Sequence, residues 1–163
     1  MRAISAATLL ILGLNAVNAL EAEEVVGTWR LVSSTRKILE TNEQVNTYGG
    51  AHPTGWITYG NDGRVTAIVA YEGRIKPASI EKMTDQERTQ LFKTFFAYSG
   101  TYKLEGNSVT HNIDTSWNEV WTGTSQVRDI EKRGNRLIYT TRPAPMSGDG
   151  KMSIITLIWE KYR

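Results

Sequence analysis

Apolar and polar residues alternate along most of this 163-residue chain, with the period of two that is typical of half-buried β-strands. In the first such segment Gly27, Trp29 and Leu31 fall on one face. Sequences rich in Gly and Asn, which favour hairpin turns, occur at residues 60–63, 105–107 and 132–135. The pattern predicts nine strands, over residues 24–39, 45–48, 54–59, 64–71, 98–104, 108–115, 121–131, 136–141 and 151–162.

One segment has the helical period instead. Thr84 and Glu87 have the spacing of a capping box, and neither Gly nor Pro occurs over residues 88–96. The apolar residues at helical spacing are Leu91, Phe92, Phe95 and Phe96. We predict a helix over residues 85–96 whose apolar stripe packs against the sheet. In an alternative interpretation, Phe92 or Phe95 belongs to a lid over a ligand.

Strands joined by tight turns form antiparallel sheets, and about nine strands can pair all their edges by closing into a barrel. The sequence therefore predicts an all-β fold, an antiparallel β-barrel of about eight or nine strands with one α-helix. A barrel of about eight strands is either filled by its own side chains or holds one small ligand. The inward-pointing residues decide between these two cases.

The first nineteen residues have the pattern of a secretory signal peptide. Arg2 precedes a largely apolar run over residues 3–14, and a small residue, Ala19, stands where cleavage is expected. We predict a signal peptide (residues 1–19), a barrel domain (residues 20–163), and a periplasmic or secreted protein without a membrane span after cleavage. The alternative is an uncleaved membrane anchor, but the run is shorter than the roughly 20 residues that cross a bilayer.

Composition narrows the possible chemistry. Cysteine is absent, which excludes disulfides, thiolate nucleophiles and cysteine-bound zinc or iron–sulfur clusters. The two histidines are His52 and His111, so we expect no metal site and no cofactor. The formal charge of +2 is too small to indicate binding to nucleic acid. The sequence carries no motif of a serine hydrolase, a phosphate-binding loop, a dinucleotide-binding fold or a zinc protease.

Several motifs resemble those of a known family. Residues 27–29, Gly-Thr-Trp, match the Gly-x-Trp that opens the first strand of lipocalin-type barrels. Residues 111–128 resemble the bacterial and fungal lipocalin-like domain family, which carries His, then Ser-Trp-Asn-Pro, then Trp-x-Gly-Thr-x-Gln-x-Arg. Shorter matches occur at residues 55–59, 100–102 and 157–160. The resemblance spans residues 25–160, and one departure is Glu119, where the family usually has Pro.

This resemblance implies a lipocalin-like, calycin-type barrel in which a basic residue near the last strand covers the Trp ring of the first strand. Lys161 or Arg163 would do so here. The resemblance does not imply a single activity. Similar domains occur without an assigned role, and some lipocalin-like barrels act in biosynthetic pathways as isomerases or cyclases on apolar substrates.

His111 shares a strand face with Val109 and Ile113, and we expect it to point into the barrel. One interpretation is a neutral imidazole hydrogen-bonded within the barrel wall. In a second interpretation, His111 orients a ligand or transfers a proton, because histidine titrates near neutral pH. Axial binding of haem is a third alternative, without other signals in its support.

Thr124, Gln126 and Arg128 alternate along one predicted strand and are expected to share a face. If that face is inward, Arg128 needs a partner, because an unpaired buried guanidinium is costly. A carboxylate, enolate or phenolate of a ligand would be such a partner. In the opposite orientation Arg128 is solvated and Trp121, Gly123 and Val127 point inward. The resemblance favours the inward orientation.

Aromatic residues extend this candidate site. Trp117 and Trp121 flank a junction between two strands, where they either close the barrel end or form a wall for a flat ligand. The predicted ligand-binding residues are Trp56, Tyr102, His111, Trp117, Trp121, Thr124, Gln126 and Arg128.

Three hypotheses follow, and we favour the first. The barrel binds a small apolar or amphipathic molecule, which is anionic if Arg128 holds its polar end. Alternatively, it is a cofactor-free isomerase or cyclase on a polyketide- or terpenoid-like substrate, in which His111 moves a proton and Arg128 stabilises negative charge. In the third hypothesis, side chains fill the barrel and the protein acts through its surface. The sequence does not indicate the oligomeric state.

Overall fold

The computed structural model describes residues 19–146 and 149–162. The predicted signal peptide, apart from Ala19, lies outside the described residues. The elements in chain order are α1 (Ala22–Val25), β1 (Gly27–Ile38), β2 (Gln44–Asn46), β3 (Thr54–Tyr59), β4 (Arg64–Ala70), α2 (Asp85–Lys93), β5 (Phe95–Glu105), β6 (Ser108–Ser116), a 3₁₀ turn (Glu119–Trp121), β7 (Ser125–Arg133), β8 (Arg136–Thr141), β9 (Ala144–Pro145) and β10 (Met152–Lys161).

Eight of the described strands close into an antiparallel barrel, in the order β1-β3-β4-β5-β6-β7-β8-β10, with β10 pairing back onto β1. A bulge between Leu31 and Ser33 lets the long strand β1 follow β10 along most of its length while its first residues pair with β3. The short strands β2 and β9 lie outside the ring, on β1 and β10. The predicted all-β antiparallel barrel is confirmed, with eight strands in the ring.

The two ends of the barrel differ in how the strands are connected. At one end, called the turn end below, short turns occupy residues 60–63, 106–107 and 134–135, where the sequence predicts hairpins. At the opposite end, the loop end, the connections are longer and cover residues 47–53, 71–94, 117–124 and 142–151. Loops on a rigid scaffold commonly carry binding residues, so the loop end is the first place to search for a site.

The turn end is closed by Trp29, which is 1% exposed. Its indole Nε1 donates a hydrogen bond of 2.7 Å to the Val25 carbonyl in α1. The Lys161 ammonium lies 4.4 Å from the centroid of the Trp29 ring and donates to the Val26 carbonyl. Gly27 has a φ of 118° and permits this approach, since a Cβ there would lie 2.6 Å from the ammonium. Lys161 is thus the basic residue that the resemblance implies.

The predicted helix exists, but it is shorter than residues 85–96. Its capping box is formed, since the Thr84 hydroxyl accepts from the Glu87 amide and the Glu87 carboxylate accepts from the Thr84 amide. The helix ends at Lys93, and Phe95 begins β5, opposite Ala70. Bulky aromatic residues suit a pleated strand, which overrides the apparent helical spacing. None of the described helices is long and apolar enough to cross a membrane.

The inward face of the barrel is mainly apolar. Its buried residues include Leu31, Ile57, Val65, Val69, Val109, Ile113, Ile130, Leu137, Leu157 and Trp159. Polar groups interrupt this core, where tyrosines of β3, β5 and β8 and one histidine of β6 form a chain of hydrogen bonds. Those polar groups and the loop end above them form the candidate site.

Candidate functional site

His111 lies at the centre of a chain of hydrogen bonds inside the barrel and is 1% exposed. Its Nε2 lies 2.6 Å from the Tyr59 hydroxyl, and its Nδ1 lies 2.8 Å from the Tyr98 hydroxyl. The Tyr139 hydroxyl donates to the Tyr59 hydroxyl at 2.7 Å. Both ring nitrogens are therefore engaged, and this chain of four side chains is called the tyrosine–histidine relay below.

The relay is uncharged near neutral pH. Burial, with a smaller contribution from the Arg128 charge, lowers the pKa of His111 to about 3. Burial also raises the pKa values of Tyr59, Tyr98 and Tyr139 above their ordinary range. A neutral imidazole whose two nitrogens are bonded to tyrosines is placed to hold the barrel wall. It presents no open nitrogen to a ligand, a proton acceptor or a haem iron.

Arg128 points into the barrel. In the pairing of β6 with β7, Arg128 lies opposite Val109, and Gln126 lies opposite His111, and both partners are buried. Residues directly opposite each other project to the same face of a sheet, so Gln126 and Arg128 share the inward face. Of the two orientations that the sequence allows, the structure has the inward one.

The Arg128 guanidinium has only neutral acceptors in the part of the chain that the structure describes. Its Nη1 donates to the Val127 carbonyl at 3.0 Å, and its Nη2 donates to Gln126 Oε1 at 2.5 Å. None of the salt bridges among the described residues involves it. Its charge nevertheless acts on the pKa values of His111 and Tyr98, so it lies within electrostatic range of the relay.

A second inward arginine, Arg36 on β1, has a contrasting environment. It is 8% exposed. Its Nη2 donates to Asp149 Oδ2 at 2.7 Å, and its Nε donates to the Ser153 hydroxyl at 2.9 Å. No local sequence pattern marks Arg36, because its acidic partner lies 113 residues away in the chain. Within the described residues, Arg36 has a carboxylate partner and Arg128 has none.

Aromatic rings line the loop end, and two of them, Tyr48 and Tyr98, lie within electrostatic range of Arg128. Trp117 and Trp121 pack edge to face at 4.8 Å, and Trp121 lies 6.1 Å from both Phe96 and Tyr98. Tyr48, from the connection between β2 and β3, packs on Phe96 at 5.3 Å. These five rings, called the aromatic wall below, are buried or only partly exposed. Trp117 is further held by a hydrogen bond of 3.1 Å from its Nε1 to the Phe92 carbonyl.

A sequence profile of the lipocalin-like domain matches residues 26–162. The chain belongs to the lipocalin-like domain family. Among solved structures, it is similar to a lipocalin-like protein from Bacteroides uniformis, with 12% identity and a TM-score of 0.45 over 85% of this chain and 99% of that one. It is also similar to a REP1-NXSQ fatty acid transporter, with 11% identity and a TM-score of 0.38 over 87% of this chain and 98% of that one. No curated protein matches the sequence.

Three predicted site residues do not contribute their side chains to this site in the lipocalin-like barrel. Trp56 points outward, because its strand neighbour Ile57 takes the inward face, and it packs edge to face on Tyr162 at 5.0 Å. Thr124 precedes β7, is exposed, and donates its hydroxyl to the Trp121 carbonyl at 2.7 Å. Thr124 therefore does not share the inward face with Gln126.

Tyr102 points inward, but it lies at the turn end. Its hydroxyl donates to the Gly60 carbonyl at 3.1 Å, and its ring packs edge to face on Tyr59 at 4.8 Å. It supports the relay from below and is not part of the aromatic wall. The predicted residues that the lipocalin-like barrel does bring together at the loop end are Trp117, Trp121, Gln126 and Arg128, with His111 behind them.

Five residues of this site were absent from the predicted set, namely Tyr48, Tyr59, Phe96, Tyr98 and Tyr139. The alternation of Leu137 and Tyr139 along β8 is a signal that could have found Tyr139. Tyr48 lies in a connection and adopts a left-handed φ of 58°, held by a hydrogen bond of 2.8 Å from the Glu72 amide to its carbonyl. No group of three or more His, Asp or Glu side chains that could bind a metal occurs within the described ranges.

Proposed function

We propose that this lipocalin-like barrel binds a small amphipathic molecule at its loop end, with Arg128 as the partner of an anionic group on that molecule. The observation that carries the proposal is the inward guanidinium of Arg128, which has only Gln126 and a backbone carbonyl as acceptors among the described residues. A partly buried cation without a counter-charge is unfavourable. An oxyanion would supply the missing charge with strong, charge-assisted hydrogen bonds.

The aromatic wall supports an apolar or flat body for the same molecule. Trp117, Trp121 and Phe96 are partly exposed, so they offer apolar surface at the loop end. Tyr48 and Tyr98, which pack on Phe96 and Trp121, lie within electrostatic range of Arg128. Small-molecule sites generally combine such aromatic linings with a few fixed polar groups. A charged head group on Arg128 and an apolar body along the wall describe an amphipathic acid.

Export from the cytoplasm is part of the proposal and is supported by the signal pattern of residues 1–19. Leu20 already belongs to the domain, since its amide donates to Asn107 Oδ1 at 3.2 Å and its side chain packs against the core. Cleavage after Ala19 would leave that contact in place. The mature chain would then begin at Leu20, which intact-mass measurement of the exported protein determines.

The test compares acids with their neutral counterparts. Dodecanoate and dodecanol form an aliphatic pair, and 2-naphthoate and 2-naphthylmethanol form a flat aromatic pair. Isothermal titration calorimetry with the mature protein should show tighter binding of the acid in at least one pair. Arg128→Gln should weaken acid binding by roughly 10- to 100-fold and leave the neutral compound within about twofold, as expected for hydrogen bonds to a charged group.

Arg30→Gln is the matched control. Arg30 lies on the outer surface of β1, in an exposed ion pair of 3.3 Å with Glu160, and its loss should change neither affinity. Binding that is indifferent to charge in both pairs, or an acid preference that survives Arg128→Gln, contradicts the proposal.

A further inference from the structure

The tyrosine–histidine relay contains one more hydrogen than its own bonds use. Three phenols and one neutral imidazole carry four hydrogens bound to oxygen or nitrogen. The relay has three hydrogen bonds, namely Tyr139 to Tyr59, Tyr59 with His111, and His111 with Tyr98. One donor hydrogen is therefore left over, whichever tautomer the imidazole adopts.

The position of that hydrogen follows from the direction of the bonds. Tyr139 donates to Tyr59, so the remaining hydrogen belongs to Tyr59 or to Tyr98. If His111 carried its proton on Nε2, the Tyr59 hydroxyl would accept twice and its own hydrogen would be unpaired in the core, where Tyr59 is 1% exposed. An unpaired buried donor is costly. With the proton on Nδ1, Tyr59 donates to Nε2, His111 donates to Tyr98, and the hydrogen left over is that of Tyr98.

Tyr98 is the relay member that also belongs to the aromatic wall. It is 7% exposed, packs against Trp121 of the aromatic wall at 6.1 Å, and lies on β5, next to the strand β6 that separates it from Arg128 on β7. We infer that the Tyr98 hydroxyl is a second hydrogen-bond donor to the anionic group on Arg128, and that His111, as its Nδ1–H tautomer, is the positioning residue that aims it. This inference rests on the proposed function.

Two donors at one place restrict the ligand class. The guanidinium of Arg128 and the Tyr98 hydroxyl both require lone pairs, so the head group is an oxyanion that accepts at least two hydrogen bonds. A carboxylate, an enolate or a phenolate satisfies this condition, whereas an ammonium does not. The rest of the relay fixes the direction of the Tyr98 hydrogen before the ligand arrives.

The first test reads the tautomer directly. In the His52→Ala variant His111 is the remaining histidine. A long-range ¹H–¹⁵N spectrum of the mature variant at pH 7 should show a proton on Nδ1 and an unprotonated Nε2. A proton on Nε2 would overturn the inference, because the Tyr98 hydroxyl would then donate its hydrogen bond to Nδ1 of His111 and have no hydrogen left for a ligand.

The second test measures binding of dodecanoate, dodecanol, 2-naphthoate and 2-naphthylmethanol to Tyr98→Phe. This variant should bind the preferred acid about tenfold more weakly, with the neutral partner within about twofold. Tyr162→Phe is the control, since it removes an exposed phenol that packs on the outward Trp56 and should leave the ratio of acid to neutral affinity unchanged. A barrel that is merely destabilised would not be expected to show the change in this ratio that we expect for Tyr98→Phe.

The two proposals fail in different ways. If Arg128→Gln abolishes the acid preference and Tyr98→Phe leaves it intact, the inference about Tyr98 is wrong and the proposed function stands. If Arg128→Gln leaves the preference intact, both are wrong.

Discussion

The turn end and the loop end of the barrel each bring a cation to aromatic rings, with different outcomes. At the turn end, Lys161 covers the Trp29 ring and donates to the Val26 carbonyl, while the indole donates to Val25. At the loop end, the Arg128 charge acts on the pKa values of Tyr48 and Tyr98, and its acceptors in the described chain are Gln126 and its own strand. Lys161 completes the closure of the barrel, whereas Arg128 retains hydrogen-bonding capacity.

The difference between the two ends follows from their connections. Short turns leave no chain to place over the turn end, so side chains of β1, β10 and α1 close it. The longer connections of the loop end supply Tyr48, Trp117 and Trp121, whose rings pack in the aromatic wall and carry no charge that could neutralise Arg128. We therefore expect the turn end to contribute mainly to stability and the loop end to the proposed binding. Variants at the two ends can separate these contributions.

The largest loss of stability is expected from a substitution at the turn end. Trp29→Ala removes a fully buried ring and the partner of Lys161, and should lower the free energy of unfolding by about 3–5 kcal/mol, as large-to-small changes of buried aromatic residues do. Urea unfolding followed by circular dichroism measures the loss. Trp56→Ala, on the outer face of β3, is the control and should cost only about 1 kcal/mol. Equal losses in the two variants would contradict the assignment of Trp29 as the closing residue.

The features that could be predicted from the sequence are those that depend on residues close together in the chain. Turn-forming residues mark the three hairpins, and alternation places His111 on the inward face beside Val109 and Ile113. The capping box of α2 was likewise recognisable from the spacing of two residues. These features were predictable because their energetics are decided within a few residues of chain.

The features that the sequence left undetermined depend on distant contacts. In β3, Trp56 and Tyr59 are both aromatic but lie on opposite faces, so alternation does not say which of them points inward. The left-handed backbone of Tyr48 is held by a hydrogen bond from the Glu72 amide, and the charge of Arg36 is balanced by Asp149. Both partners are distant in the sequence. The sequence alone therefore does not show that Arg36 has a carboxylate partner while Arg128 has only neutral acceptors in the described chain.

An intermediate effect involves the relay that joins the two ends. The folded state lowers the pKa of His111 from 6.5 to about 3, so below pH 6.5 the unfolded chain binds a proton that the folded chain does not. Stability should therefore be highest above pH 6.5 and fall as the pH is lowered towards 3. At ~1.4 kcal/mol per pH unit, lowering the pH from 7 to 5 should cost about 2 kcal/mol through His111.

The control for this pH dependence is His111→Gln, whose side chain does not titrate. Urea unfolding at pH 5, 6 and 7 should show a smaller slope of stability against pH in the variant than in the parent protein. The carboxylates contribute equally to both proteins, so the difference between the two slopes isolates His111. Identical slopes would show that the relay accepts a proton without loss of stability.

The smallest expected effect on stability comes from replacing the two inward arginines, Arg128 and Arg36. Arg128→Met replaces a cation that has no counter-charge in the described part of the chain with an apolar side chain of similar length. It should raise the free energy of unfolding by about 1 kcal/mol and weaken acid binding. Arg36→Met should instead lower it by about 1 kcal/mol, because Asp149 and Ser153 lose their partner. Urea unfolding without ligand gives both values. Opposite signs would mean that evolution kept Arg128 for a partner outside the chain, whereas a loss in both variants would assign Arg128 to the fold.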